Sequence, residues 1–137
     1  MSFLLDTNIL SELIKKHPEP KVVQWVLEAG SDRLFISVLT LGEIRKGIER
    51  LEPNPRKARL LQYLERDVPA QFEERILAID APVAEVWGHL ESQAGRPLPT
   101  VDALLAATAI AHNLVLVTRN TRDFNFPKLK CFNPWEK

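Results

Sequence analysis

The sequence predicts an α/β fold with helices on both faces of a mainly parallel sheet. Short apolar runs alternate with amphipathic stretches at helical spacing along the whole chain. One run, Leu34-Phe35-Ile36-Ser37-Val38, is continuously apolar apart from one serine, as in strands covered on both sides. Strands that alternate with helices require βαβ crossovers, whose right-handedness places helices on both faces. The 137 residues, 45% hydrophobic, contain no linker, repeat or low-complexity tract. They are therefore read as one domain, 1–137, a three-layer α/β/α unit with four to five strands.

Phe3-Leu4-Leu5 forms the first strand, and the next helix carries Ile9, Leu10, Leu13 and Ile14 on one face until Pro18 and Pro20 end it. A second helix carries Val22, Val23, Val26 and Leu27 and stops at Gly30, a residue suited to helix ends. Residues Leu34 to Val38 are the second strand. Leu41, Ile44, Ile48 and Leu51 then mark a helix that Pro53 and Pro55 break. An amphipathic segment with Leu60, Leu61 and Leu64 runs up to Pro69. Ile76 to Ile79 is the third strand, and Asp80 caps the helix around Val83, Val86, Trp87 and Leu90. After a stiff Gly95-Arg96-Pro97-Leu98-Pro99 connection, Val101 to about His112 is rich in the strong helix formers Ala and Leu. Leu114 to Val117 is the fourth strand, and Lys130 to Asn133 is a short edge strand.

Composition narrows the function. Eighteen basic and eighteen acidic residues balance, so any nucleic-acid contact must come from local patches. The single cysteine, Cys131, excludes an internal disulfide and a thiolate metal cluster, and reads as a buried thiol. No apolar run is long enough for a membrane span and no leader precedes the first strand, so the expectation is a soluble cytoplasmic protein. The chain lacks a P-loop, a dinucleotide-binding glycine motif and a nucleophile elbow. His17, His89 and His112 have no ligand spacing and read as surface or packing residues.

The acids are more informative. Asp6 ends the first strand, and ligands of open α/β sheets bind beyond the carboxyl ends of strands. Asp6 is equally a natural helix N-cap. Glu43 follows the second strand and Asp102 opens the Ala-rich helix, while Asp123 follows the fourth strand. Local patterns give each of the first two a structural alternative: Thr40 and Glu43 match a capping box, and Asp102 suits a helix dipole. Parallel topology, however, brings the turns after the first, second and fourth strands to one sheet edge. Asp102 joins them if its helix leans over that edge. Gathered carboxylates repel unless a cation is present, and an oxygen-only set suits Mg²⁺ or Mn²⁺.

Four segments occur in an order and spacing that resemble the PIN-domain ribonucleases, in particular the VapC toxins of toxin–antitoxin pairs. They are Leu5-Asp6-Thr7-Asn8, Ser37 to Glu43, Pro99 to Ala109, and Val117-Thr118-Arg119-Asn120-Thr121-Arg122-Asp123-Phe124. The closing Phe132-Asn133-Pro134-Trp135 looks like the FitB-type branch. The resemblance implies a PIN-like fold and a metal-dependent endoribonuclease toxin. It also implies inhibition by a cognate VapB-like antitoxin, homodimers that assemble further with that antitoxin, and contact with DNA only through it.

Carried over by position, the catalytic acids are Asp6, Glu43 and Asp102, with Asp6 and Asp102 as direct metal ligands. The family's fourth acid commonly falls where this chain has Asn120, so either Asp123 or Asn120 completes the set. Asn8 and Thr118 match polar supporting positions. Arg45, Lys46, Arg96, Arg119 and Arg122 lie near these motifs and are candidate RNA contacts. The apolar early helices and the Leu60-Leu61-Leu64 segment imply an exposed interface. Two other readings remain: a PIN-fold RNA- or protein-binding module without turnover, which Asn120 keeps open, and a phosphohydrolase using Asp6 as nucleophile, which Asn8 disfavours.

Overall fold

A computed structural model describes residues 1–136. Its five strands, β1 (Phe3–Leu5), β2 (Leu34–Ser37), β3 (Ile76–Leu77), β4 (Val115–Val117) and β5 (Cys131–Phe132), form a parallel sheet in the order β3-β2-β1-β4-β5. β1 lies at the centre, with Phe3 opposite Leu34 on one side and Val115 on the other. Leu4 and Leu5 are both buried, because side chains of successive strand residues point to opposite faces and both faces are covered.

Leu5, Ile36 and Val117 contribute to one core layer. Over it lie α1 (Thr7–Leu13), α2 (Pro20–Ala29), α3 (Val38–Glu49), α4 (Pro55–Gln62) and α5 (Val68–Phe72). Trp25 of α2 packs edge-on to Phe3 with ring centroids 5.0 Å apart, and against Phe132 at 5.4 Å. Leu4 and Leu116 face the other layer, under α6 (Ala81–Gln93) and α7 (Thr100–Ala111). Ala103, Ala106, Ala107 and Ala109 are fully buried, so α7 seats a small-residue face in this layer. Two packed layers around one sheet give the expected architecture.

Four local expectations change. The third strand pairs only through Ile76 and Leu77, leaving Ala78 and Ile79 outside the ladder. Pro69 does not end the preceding helical run. A wide π-helical turn, Tyr63–Asp67, connects α4 to α5 and places Pro69 in the opening turn of α5, where its missing N–H is tolerated. Leu64 is buried and Leu60 and Leu61 are half-buried in the first layer, so this segment contributes to the core. Cys131 is half-buried on the edge strand, with its thiol pKa raised by desolvation.

Asp80 caps α6 as expected, its Oδ1 accepting from the Val83 N–H at 3.1 Å. No helix among the described residues is long and apolar enough to cross a membrane. The chain connectivity leaves β1 towards β2 and β3, then returns to the other side for β4 and β5. The switch point lies between β1 and β4, and that is where ligands of open α/β sheets bind.

Candidate active site at the switch point

Asp6 stands directly beyond β1, its backbone N–H still bonded to the Val117 carbonyl of β4 at 2.9 Å. Its backbone is extended, so it also serves as N-cap of α1, and Oδ1 accepts from the Thr7 N–H at 2.7 Å. The cap and the position at the ligand-binding edge of the sheet are therefore compatible. The other oxygen, Oδ2, accepts from the Thr118 hydroxyl at 2.8 Å and from Asn8 Nδ2 at 3.4 Å. Thr118 has no solvent exposure, and its Oγ in turn accepts from the Asn120 N–H at 3.1 Å. Asn8 Oδ1 accepts from the Arg119 N–H at 3.4 Å. Asn8 and Thr118 thus fix the carboxylate across the switch point.

The second carboxylate arrives by a route that local sequence disguised. Ser37, not Thr40, caps α3, with its Oγ accepting from the Leu39 N–H at 3.0 Å. Because α3 starts at the end of β2, Thr40 lies inside its first turn and the capping box does not form. Glu43 is instead free to accept a short hydrogen bond from the Thr7 hydroxyl, which also lies 3.2 Å from the Thr40 hydroxyl. Thr7 and Ser37 carry no role in the sequence reading, and Thr40 enters it only as a helix cap. Only Thr7's place between Asp6 and Asn8 offered a hint.

Asp102 is in the first turn of α7 and is half-buried. Burial pushes its pKa up, and the charges of Asp123 and then Glu43 push the same way. Burial also raises Asp6, opposed by the bonds from Thr118 and Thr7 and reinforced by the charges of Glu43 and Asp102. The four candidate acids accordingly share one electrostatic neighbourhood. Asp123 is exposed and lines an open cleft of about 560 Å³ together with Asp102, Arg96 and Arg122. Asn120 contributes its backbone N–H to Thr118, and its side chain caps nothing in the following turn.

The basic candidates divide. Arg96 and Arg122 lie on the Asp102 cleft. Lys46 is exposed one helical turn after Glu43. Arg45 is committed elsewhere, its guanidinium bonded to Glu65 at 2.9 Å and near Glu49 at 3.5 Å. Arg119 lies over the Trp135 ring, 5.1 Å from its centroid.

Among the described residues no three acidic, histidine or cysteine side chains are drawn close enough to hold an ion by themselves. The donors that do converge are all oxygens, and their charges disfavour one another as they stand. Mg²⁺ takes one or two carboxylates and fills its remaining positions with water and substrate phosphates. Such an open, oxygen-only set fits it.

Residues 3–129 match the family model described as PIN domain. The chain is 35% identical to toxin FitB of Neisseria gonorrhoeae, covering 96% of this chain and 97% of that one. It is 32% identical to a VapC ribonuclease of Sinorhizobium fredii, covering 97% of each. A crystal structure of FitAcB from Neisseria gonorrhoeae superposes with a TM-score of 0.91 at 34% identity, covering 98% of this chain and 99% of that one. A toxin–antitoxin complex from Klebsiella pneumoniae gives 0.72 at 32% identity, over 97% and 98%.

Proposed function

The chain belongs to the PIN-domain family, and from that premise we propose that it is the endoribonuclease toxin of a toxin–antitoxin pair, working with Mg²⁺ or Mn²⁺. The observation that carries this reading is the placement of Asp6 beyond β1 at the β1–β4 switch point, its carboxylate held by Thr118 and Asn8 with Glu43 and Asp102 as charged neighbours. Carboxylates built to disfavour one another are relieved by a cation.

Asp6 and Asp102 would hold the ion, which would supply Lewis-acid polarisation of the scissile phosphate and acidification of a bound water. Thr118 and Asn8 keep Asp6 in one orientation, the role outer groups play around metal ligands generally. Glu43, tethered through Thr7, orients the attacking water and accepts its proton. Asp123 adds negative charge beyond Asp102, and Asn120 supports the loop through Thr118. Arg96 and Arg122 meet RNA phosphates along the cleft and offset repulsion between the substrate and the acids. Lys46 and Arg119 extend the contact, while Arg45 is occupied by acidic partners.

The protein acts in the cytoplasm as a homodimer that a VapB-like antitoxin binds and silences, with DNA reached only through that antitoxin. The deciding experiment is cleavage of single-stranded RNA with Mg²⁺ or Mn²⁺. Wild type cuts, chelation stops it, added metal restores it, and Asp6→Asn loses at least a hundredfold in rate. A wild type that binds RNA yet stays inert with both metals is a binding module instead.

A further inference from the structure

The Phe132-Asn133-Pro134-Trp135 segment has no part in the chemistry above, yet hydrogen bonds join it to the catalytic cluster. Asn133 Nδ2 donates to the Arg119 carbonyl at 3.1 Å, and its Oδ1 accepts from the Trp135 N–H at 2.9 Å. Arg119 in turn donates its backbone N–H to Asn8, the residue that braces Asp6. The Arg119 guanidinium lies over the half-buried Trp135 ring. Beside this pair opens a cleft of about 610 Å³ whose other wall is the turn after α1, with Lys15, Lys16 and His17. Glu12 is buried under that turn, accepting from the Glu19 N–H at 2.8 Å and pairing with Lys15 at 2.8 Å. The cleft therefore has a fixed floor, a planar cation backed by an aromatic ring, and the exposed Lys16 on a rim that also carries Glu19.

We propose that this cleft is a nucleotide subsite flanking the cleavage position: a base of single-stranded RNA stacks on the Arg119–Trp135 pair, and its phosphate meets Lys16. Stacked aromatic and guanidinium planes bind bases without regard to sequence, and lysines beside them follow the backbone. The hydrogen-bonded path from Trp135 to Asp6 sets the distance between the stacked base and the scissile bond. The subsite rests on the ribonuclease reading and positions the phosphodiester next to the stacked base at the acids.

The test uses the full-length protein and a single-stranded RNA oligonucleotide that the wild type cleaves. Trp135→Ala raises KM about tenfold and changes kcat less than twofold, whereas Trp135→Phe recovers most of the affinity. Lys16→Ala, at an exposed position, lowers the slope of log affinity against log salt by about 1. On the Asp102→Asn protein, 4-thiouridine placed beside the cleavage position crosslinks to the Arg119–Trp135 region. Unchanged KM and salt slope in stably folded Trp135→Ala and Lys16→Ala proteins overturn the subsite and leave the ribonuclease reading standing. Variants that bind RNA normally but escape the antitoxin assign the cleft to that protein and equally overturn it. A wild type that neither cuts nor binds RNA removes both readings.

Discussion

Replacing Thr118 by valine exchanges a fully buried hydroxyl for a methyl group of the same shape. It deletes the 2.8 Å bond to Asp6 Oδ2 and takes an acceptor from the Asn120 N–H. A hydrogen bond to a charged group contributes about 1.5–3 kcal/mol, and Asn120 is exposed enough for water to replace its lost acceptor. The expected destabilisation at pH 7 is about 2 kcal/mol. With a urea dependence of about 2 kcal/mol per molar for a domain of this size, the unfolding midpoint falls by about 1 M.

The pH dependence has a definite sign. Asp6 titrates above its ordinary value of 3.8 in the folded protein, and the Thr118 bond is what restrains that rise. Without the bond the folded pKa climbs further, and the ionised carboxylate costs more stability at neutral pH. As pH falls through that folded pKa the carboxyl becomes neutral, and only a neutral hydrogen bond of about 1 kcal/mol separates the two proteins. Urea unfolding at pH 7 and pH 3.5, repeated in an Asp6→Asn background, completes a double-mutant cycle. An equal loss in both backgrounds, with no pH dependence, would falsify the assignment of Thr118 as the group that holds Asp6.

Two further outcomes follow from the same physics. Asp102 also titrates above its ordinary value, so its ionised form costs stability once pH exceeds its folded pKa, and the cost disappears below the unfolded value. Asp102→Asn therefore raises Tm at pH 7 by on the order of 2 °C, a gain kept small by solvent access and by the helix dipole, and the gain vanishes near pH 3; an unchanged or lowered Tm at pH 7 contradicts the crowding of acids. At the opposite edge of the sheet, the Arg75 guanidinium donates to the carbonyls of Ser31, Leu34 and Gln71 and lies over the Phe72 ring. Arg75→Met is expected to lose about 2 kcal/mol by urea unfolding while cleavage at 25 °C persists, because the contacts it removes are remote from Asp6; full stability in that variant shows that these bonds contribute nothing net.

The central strands could be read from sequence because each is a short apolar run, and the site acids because each follows such a run or opens a helix. Patterns a few residues long carry that information. The rest depended on contacts between distant segments. Thr40 and Glu43 resembled a capping box until Ser37 proved to start the helix one turn earlier. Glu43's partner, Thr7, is on another element. Pro69 read as a helix end because the π-helical turn that accommodates it has no signature in residue type. Arg45 looked available beside Glu43, but Glu65, twenty residues on, holds it. The hydrophobic Leu60-Leu61-Leu64 run gave the amphipathicity, and only the fold determines that Leu64 is covered by the core.

The central position of β1 also governs when activity can arise. Asp6 is made early, but the strand that flanks it at the switch point and the hydroxyl that fixes it belong to β4 and Thr118, which are synthesised more than a hundred residues later. Contacts so distant in sequence form late, after most of the chain is present. A nascent chain on the ribosome thus carries Asp6 without the geometry for cleavage while surrounded by RNA. Competence for cleavage at this site therefore arrives only after β4 and Thr118 have been synthesised and have paired with β1.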